Sequence, residues 1–266
     1  MQLFLEVKQE QRTEVKYLRS LIDTIIKRSF LPNERVLGVL LTGSVSRGDA
    51  RVGPFGLFID FAVVVRNRGE VDLTELLGPD EKPTLPFHCI TLDGNIGLAV
   101  ELVEYLELMN IRSQDEASIF AKYESTILCD REGLLTDWKK KSFTISEADV
   151  RRRALLRFLR VGYLIGEFRM EKWEHREAWI QLNQNLNEAC ECFCEFLYCI
   201  NVSFIPRKDW LVYLAYELEQ KPSQFESLIE QMYRADSDRD SVRRRHQALV
   251  AAYDWMAGYA KTKRWI

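Results

Sequence analysis

The stretch Val36–Val65, VLGVLLTGSVSRGDARVGPFGLFIDFAVVV, constrains the fold of this chain more than any other. Two apolar runs, Val36–Leu41 and Phe58–Val65, flank a segment of glycines and polar residues. Each run has the length and the Val, Leu and Ile content of a buried strand, and neither is long enough for the periodic pattern of a helix. The second run holds a lone carboxylate, Asp60. An aspartate inside an apolar strand is costly unless it is paired or coordinates a metal. Between the runs, Gly43 lets the backbone turn sharply and approach a ligand closely. Ser44 offers a hydroxyl and a backbone N–H. If residues 45–49 open a helix, those N–H groups lie at its positive end, where phosphate binds well. Arg47 adds a cation suited to a charge-assisted contact with phosphate. An ordinary Gly-Ser turn and a loop-capping aspartate would account for each feature singly. The ordered set is much harder to reach by chance.

Around this stretch the pattern alternates between helices and strands. Val7, Val15, Leu18, Leu21, Ile22, Ile25 and Ile26 recur at helical spacing, which predicts a helix over residues 3–30, ended by Pro32-Asn33. Residues 51–57 are a Gly- and Pro-rich loop that either borders the pocket or simply connects. Residues 66–87 read as loop with a helical turn near Leu73–Leu77. His88–Thr91 and Ile96–Tyr105 form a hairpin around Asp93-Gly94. Glu101 and Glu104 lie on opposite faces of its second strand, so one at most can share a site with Asp60. Ser113–Glu116 reads as a capping box opening a helix to about Tyr123, and STILCDREGLL as a strand and turn.

From Ser146 onward the pattern is helical only, with helices expected over about 146–165, 174–202, 208–219, 223–234 and 238–260. Ser146 and a capping box at Ser223–Glu226 mark two of the starts. Short links between such helices predict an antiparallel bundle. Cys190, Cys192, Cys194 and Cys199 fall on one helix and read as packing rather than metal ligands. The arginine runs Arg151–Arg153 and Arg243–Arg245 could contact phosphate or a polyanion, but charge runs near helix ends are mostly simply exposed.

Composition sets outer limits. The chain of 266 residues is 47% hydrophobic and 29% charged, which suits a packed core in one large domain or two modest ones. Its net charge of −3 argues against long nucleic acid as a partner. Six scattered cysteines fit a reduced, cytoplasmic setting better than a disulfide framework. MQLFLEVKQEQR lacks the apolar core of a signal peptide, and no apolar run is long enough to cross a membrane.

TGSVSRGDAR followed by IDFAVVV resembles the signature of the nucleotidyltransferase superfamily related to DNA polymerase beta, in its bacterial minimal and antibiotic-modifying branch. The segment FLYCINVSFIPRKDWL is more loosely similar to the helical domain of aminoglycoside-adenylylating enzymes. The resemblance implies an α+β architecture: a nucleotidyltransferase-like mixed sheet with helices over residues 1–143, then a helical bundle over 144–266. It implies that Gly43, Ser44 and Arg47 bind the nucleotide and that Asp60 and Glu101 are catalytic and hold Mg²⁺. Glu101 would be the third carboxylate and the base for the attacking hydroxyl. The implied reaction moves AMP from ATP to a hydroxyl of an unidentified acceptor and releases pyrophosphate. One departure stands out. The family pairs two carboxylates as Asp-x-Asp, whereas here Phe58 replaces the first if Asp60 is the second, the alignment that Ile59-Asp60-Phe61 favours, or Ala62 replaces the second if Asp60 is the first. The alternative implied by that loss is an inactive nucleotide-binding or regulatory protein on the same fold. A homodimer is left open.

Overall fold

The computed structural model describes residues 18–53, 56–81, 87–234 and 239–266. These fall into two compact units, Met1–Thr144 and Ile145–Ile266. Residues 1–17 of the expected first helix lie outside the described set. Helix α1, residues 18–25, runs directly into a π-helical turn, Ile26–Phe30.

The first unit is built on a five-stranded sheet of order β3-β4-β2-β1-β5. Its strands are β1 (Val36–Thr42), β2 (Leu57–Val65), β3 (Phe87–Asp93), β4 (Ile96–Glu104) and β5 (Thr126–Asp130). β2 and β4 pair in parallel and the other neighbours antiparallel, so the sheet is mixed. The two apolar runs become the adjacent central strands β1 and β2. Both their faces are covered, which is why they read as continuous rather than alternating. On one face Leu18, Ile22, Ile26 and Phe30 pack against Val39, Leu41, Ile59, Phe61, Val63, Leu98 and Val100. On the other, Leu40, Ala62, Val64 and Val103 meet Leu108, Leu135 and Trp138. Trp138, fully buried, satisfies its indole by donating to the Leu108 carbonyl at 2.7 Å. Short helices link the strands: α2 (Gly43–Arg47), α3 (Leu73–Leu77), α4 (Tyr105–Met109), α5 (Glu116–Tyr123) and α6 (Leu134–Ser142).

Two helix starts differ from the sequence reading. The N-cap of α5 is Asp115, whose carboxylate accepts from the Ser118 amide, because Ser113 is already used in a 3-10 turn, Ile111–Ser113. The reciprocal capping box belongs instead to Glu104 and Glu107 at α4, where glutamate takes the place of the usual serine or threonine.

Asp130 ties β5 to α6. Its oxygens accept from the Leu135 amide at 2.8 Å, the Thr136 amide at 2.9 Å and the Thr136 hydroxyl at 2.6 Å. Partial burial pushes this carboxyl up, but the three donors outweigh it and hold its pKa below the ordinary aspartate value. Asp130→Ala is expected to lower stability by about 1–2 kcal/mol in urea titrations at neutral pH. Because the folded-state pKa is depressed, the cap's contribution is in place above the unfolded aspartate value. It is lost as pH falls through the lowered one, so wild type and variant converge in acid.

The second unit contains α7 (Glu147–Ile165), α8 (Glu167–Glu174), α9 (Trp179–Ile200), α10 (Lys208–Ala215), α11 (Phe225–Tyr233) and α12 (Arg239–Thr262). The expected stripe Val150, Ala154, Phe158, Val161, Ile165 is buried throughout. Ser146 caps α7 by accepting from the Asp149 amide at 3.1 Å. The helix expected over 174–202 is α9, which starts only at Trp179; Glu177, at φ 52, separates it from α8, which lies ahead of the expected start. No glycine or proline marks that break, so the pattern ran through it. The Ser223–Glu226 box does not form, since Gln224 is the N-cap and makes no side-chain cap bond. The arginine runs are not simply exposed either. Arg153 and Arg245 are buried, and Arg245 donates to Met232 O (2.6 Å), Asn183 Oδ1 (2.6 Å) and Asn187 Oδ1 (2.5 Å). The six cysteines are free thiols. Burial pushes the Cys190 thiol up to about 12, as expected of an inert packing residue. Among the described residues, no helix is long and apolar enough to cross a membrane.

Candidate nucleotide-binding face of the sheet

The parallel register of β2 and β4 decides which carboxylates meet. Asp60 pairs with Ala99 and Ala62 with Glu101. Paired residues, and residues two apart on one strand, share a face. Asp60 and Glu101 therefore stand on the same face, with Cα atoms roughly 8 Å apart from the strand spacing and rise. The face is the one that carries the Trp138 core, and the two carboxylates lie where its apolar cover gives way to half-buried residues. Glu104, as expected, falls on the opposite side from Glu101.

β1 delivers the glycine turn to the same place. Thr42 pairs with Asp60 and donates its hydroxyl to the Asp60 carbonyl at 3.3 Å. Gly43 follows with φ 68, and a Cβ built there would collide with Asp60 Oδ2. Only glycine lets the turn pass this close to the carboxylate. Ser44 sits, half-buried, in the first turn of α2. That helix is one turn long. Gly48, at φ 84, ends it with amide bonds from Gly48 and Asp49 to the Ser44 carbonyl, each 3.0 Å.

The remaining candidates have partners within the protein. Glu101 accepts from Lys122 Nζ of α5 at 3.1 Å, an ion pair largely shielded from solvent. Arg47 pairs with Asp49, Nε to Oδ2, at 3.3 Å, and both side chains are nearly buried. Asp49 Oδ1 is buried without a hydrogen-bond partner. Glu124 and Lys139 belong to the same charged cluster. Burial raises the Glu124 carboxyl above the ordinary glutamate value against the pull of Arg47 and Lys139. Burial likewise lowers the Lys139 ammonium against the pull of Glu124. Ser46 links the cluster to β5 through Glu124 O at 2.9 Å and Thr126 Oγ1 at 3.0 Å. Lys122, Glu124 and Lys139 carried no sequence signal, since only the α5–β5–α6 path folds them back onto the Ser-Arg-Gly-Asp turn.

The two apolar positions beside Asp60 differ. Ala62 is buried in the core with Leu108 and Trp138. Phe58 is half-buried, and its ring lies against Gly97, 2.6 Å from where a Cβ would stand. Gly97 thus makes room for the ring.

Among the described residues, no three His, Cys, Asp or Glu side chains cluster as a metal site. Two carboxylates on one face suit a single Mg²⁺, which keeps most of its shell as water and substrate phosphate. They do not suit a two-ion centre, which needs more carboxylate.

No protein-family model matches the sequence. No curated protein matches it either. Among solved structures, it is similar to a nucleotidyltransferase-like protein from Exiguobacterium sibiricum 255-15, at 14% identity over 90% of this chain and 75% of that one, with a TM-score of 0.43. A likeness that remote leaves the site to be read from its own residues.

Proposed function

We propose that this chain is a nucleotidyltransferase that moves a nucleoside monophosphate, AMP from ATP, to a hydroxyl of a separate acceptor. The observation that carries the reading is the parallel β2–β4 register, which sets Asp60 and Glu101 on one face beside the Gly43–Ser44 turn. In this reading Gly43 admits the triphosphate close to the backbone, and Ser44 and Arg47 contact it. Arg47 would have to exchange part of its bond to Asp49 for phosphate. A magnesium ion held by Asp60 and Glu101 would supply charge neutralisation at the triphosphate. Glu101 takes the proton from the acceptor hydroxyl. The hydroxyl oxygen bonds to the α-phosphorus, the bond to the bridging oxygen breaks, and pyrophosphate leaves with that electron pair. Lys122 fixes the Glu101 carboxylate for this step.

A second reading has its own support. Phe58 fills the half-buried position two residues from Asp60, and Lys122 already neutralises Glu101. Both features favour a protein that binds nucleotide without transferring it. Incubation with Mg-ATP and pooled hydroxyl-bearing metabolites, followed by pyrophosphate release and mass spectrometry for an added 329 Da adenylyl group, separates the two (the mass is roughly that of AMP less water). Release with adduct supports transfer. Thermal stabilisation by Mg-ATP without release supports binding alone, and neither effect refutes both.

A further inference from the structure

The second unit holds a hollow of about 430 Å³ between the start of α7 and the residues that follow α12. Arg151, Arg152, Lys263 and Arg264 line it against one carboxylate, Glu147, and Trp265 forms part of the wall. Its geometry is fixed by the backbone. Arg151 Nη2 donates to Trp265 O at 3.1 Å, which ties the final turn to α7. That turn is closed by Arg264 N to Lys261 O and Trp265 N to Ala260 O, each 2.9 Å. Arg264 is held at φ 56, a conformation that non-glycine residues seldom adopt. Trp265 is buried.

Four cations line one concavity, and Glu147 is the one carboxylate in its wall. Asp149, beside the hollow, pairs with Arg152 at 3.3 Å and accepts from the Ser146 hydroxyl at 2.7 Å, and Lys263 Nζ lies 5.7 Å from the centre of the Tyr259 ring, so Arg151, Lys263 and Arg264 face Glu147 alone among the described carboxylate side chains. Guanidinium forks match the paired oxygens of a phosphoryl group, and a lysine adds a compact charge. The size suits a small molecule. A polyanion would instead be met by an extended stripe. We infer that this hollow binds the phosphoryl group of a small phosphorylated molecule. Its lining comes wholly from the second unit, and the inference does not depend on the function of the Asp60 face.

The test follows the Trp265 indole N–H in ¹H–¹⁵N spectra, assigned with Trp265→Phe, during titration with inorganic phosphate, pyrophosphate and glycerol phosphate. At least one should shift this resonance saturably. The double variant Lys263→Gln, Arg264→Gly should weaken the effect by about tenfold or more, since two cations are lost while glycine keeps the left-handed turn. Should that variant fail to fold, Arg152→Gln, at an exposed side chain, serves in its place. Asp60→Asn should leave the response unchanged, which separates this site from the one in the first unit. No saturable shift with any of the three, or equal affinity in wild type and variant, would overturn the inference.

Discussion

Asp60→Asn is expected to abolish stabilisation of the protein by Mg-ATP and to lower nucleotide transfer by roughly 10²-fold or more. The substitution keeps the shape of the side chain and removes the charge. Asp60 lies against Gly43, where a carboxylate faces any group that enters the turn. Asparagine would leave a neutral amide there, unable to offset a cation's desolvation. The fold should tolerate the change, because asparagine matches aspartate in size and the Thr42 hydroxyl keeps its bond to the Asp60 backbone carbonyl. Melting curves with and without Mg-ATP, in wild type and variant, read both effects. An unchanged ligand shift in Asp60→Asn would remove Asp60 from the site and, with it, the reading of this face as nucleotide-binding.

The largest stability effect is expected at Arg245. The residue is 2% exposed, and its guanidinium supplies the donors for Met232 O, Asn183 Oδ1 and Asn187 Oδ1. Through these bonds it joins α9, α11 and its own helix α12. Arg245→Ala would leave the buried Met232 carbonyl without this donor, free the half-buried Asn183 and the exposed Asn187, and open a cavity the length of the side chain. Loss of about 2–4 kcal/mol follows from the one buried acceptor and the cavity together. The midpoint of urea unfolding followed by far-UV circular dichroism checks it. A shift under about 1 kcal/mol would mean that water or the neighbouring side chains take over the bonds. Arg153, which reaches the Ser203 carbonyl at 3.1 Å, belongs to the same type of contact on another helix.

These two residues show where sequence reading succeeds and where it stops. Asp60 was legible because a charge interrupts an apolar run, a local anomaly that needs no knowledge of the fold. The strands were legible for the same reason: their apolar length and the Asp93-Gly94 turn are local signals, and the hairpin formed where expected, from Phe87–Asp93 and Ile96–Glu104. Arg245 was not legible. Arginine in a run of arginines reads as solvent-facing, and only the packing of three helices buries it. The break at Glu177 was silent because its left-handed turn uses a glutamate where glycine would have announced it. The charged cluster of Arg47, Asp49, Glu124 and Lys139 was half legible, since its first two members sit in the motif and the others arrive from β5 and α6. Likewise, Glu101 could be named from the sequence, but its ion pair with Lys122 depends on how α5 returns to the sheet.

The parallel pairing of β2 with β4 also bears on how the protein comes to exist. Asp60 and Glu101 are far apart along the chain, and no hairpin brings them together. They become neighbours only when the crossover between their strands has closed, a non-local step that is slow compared with helix or hairpin formation. An early intermediate with β3 and β4 already paired would contain Glu101 but no complete face. Ligand capture should therefore lag behind the recovery of helical signal during refolding and arrive with the last of the central sheet. A chain emerging from the ribosome would, by the same logic, lack the paired Asp60–Glu101 face until β4 had been made and docked.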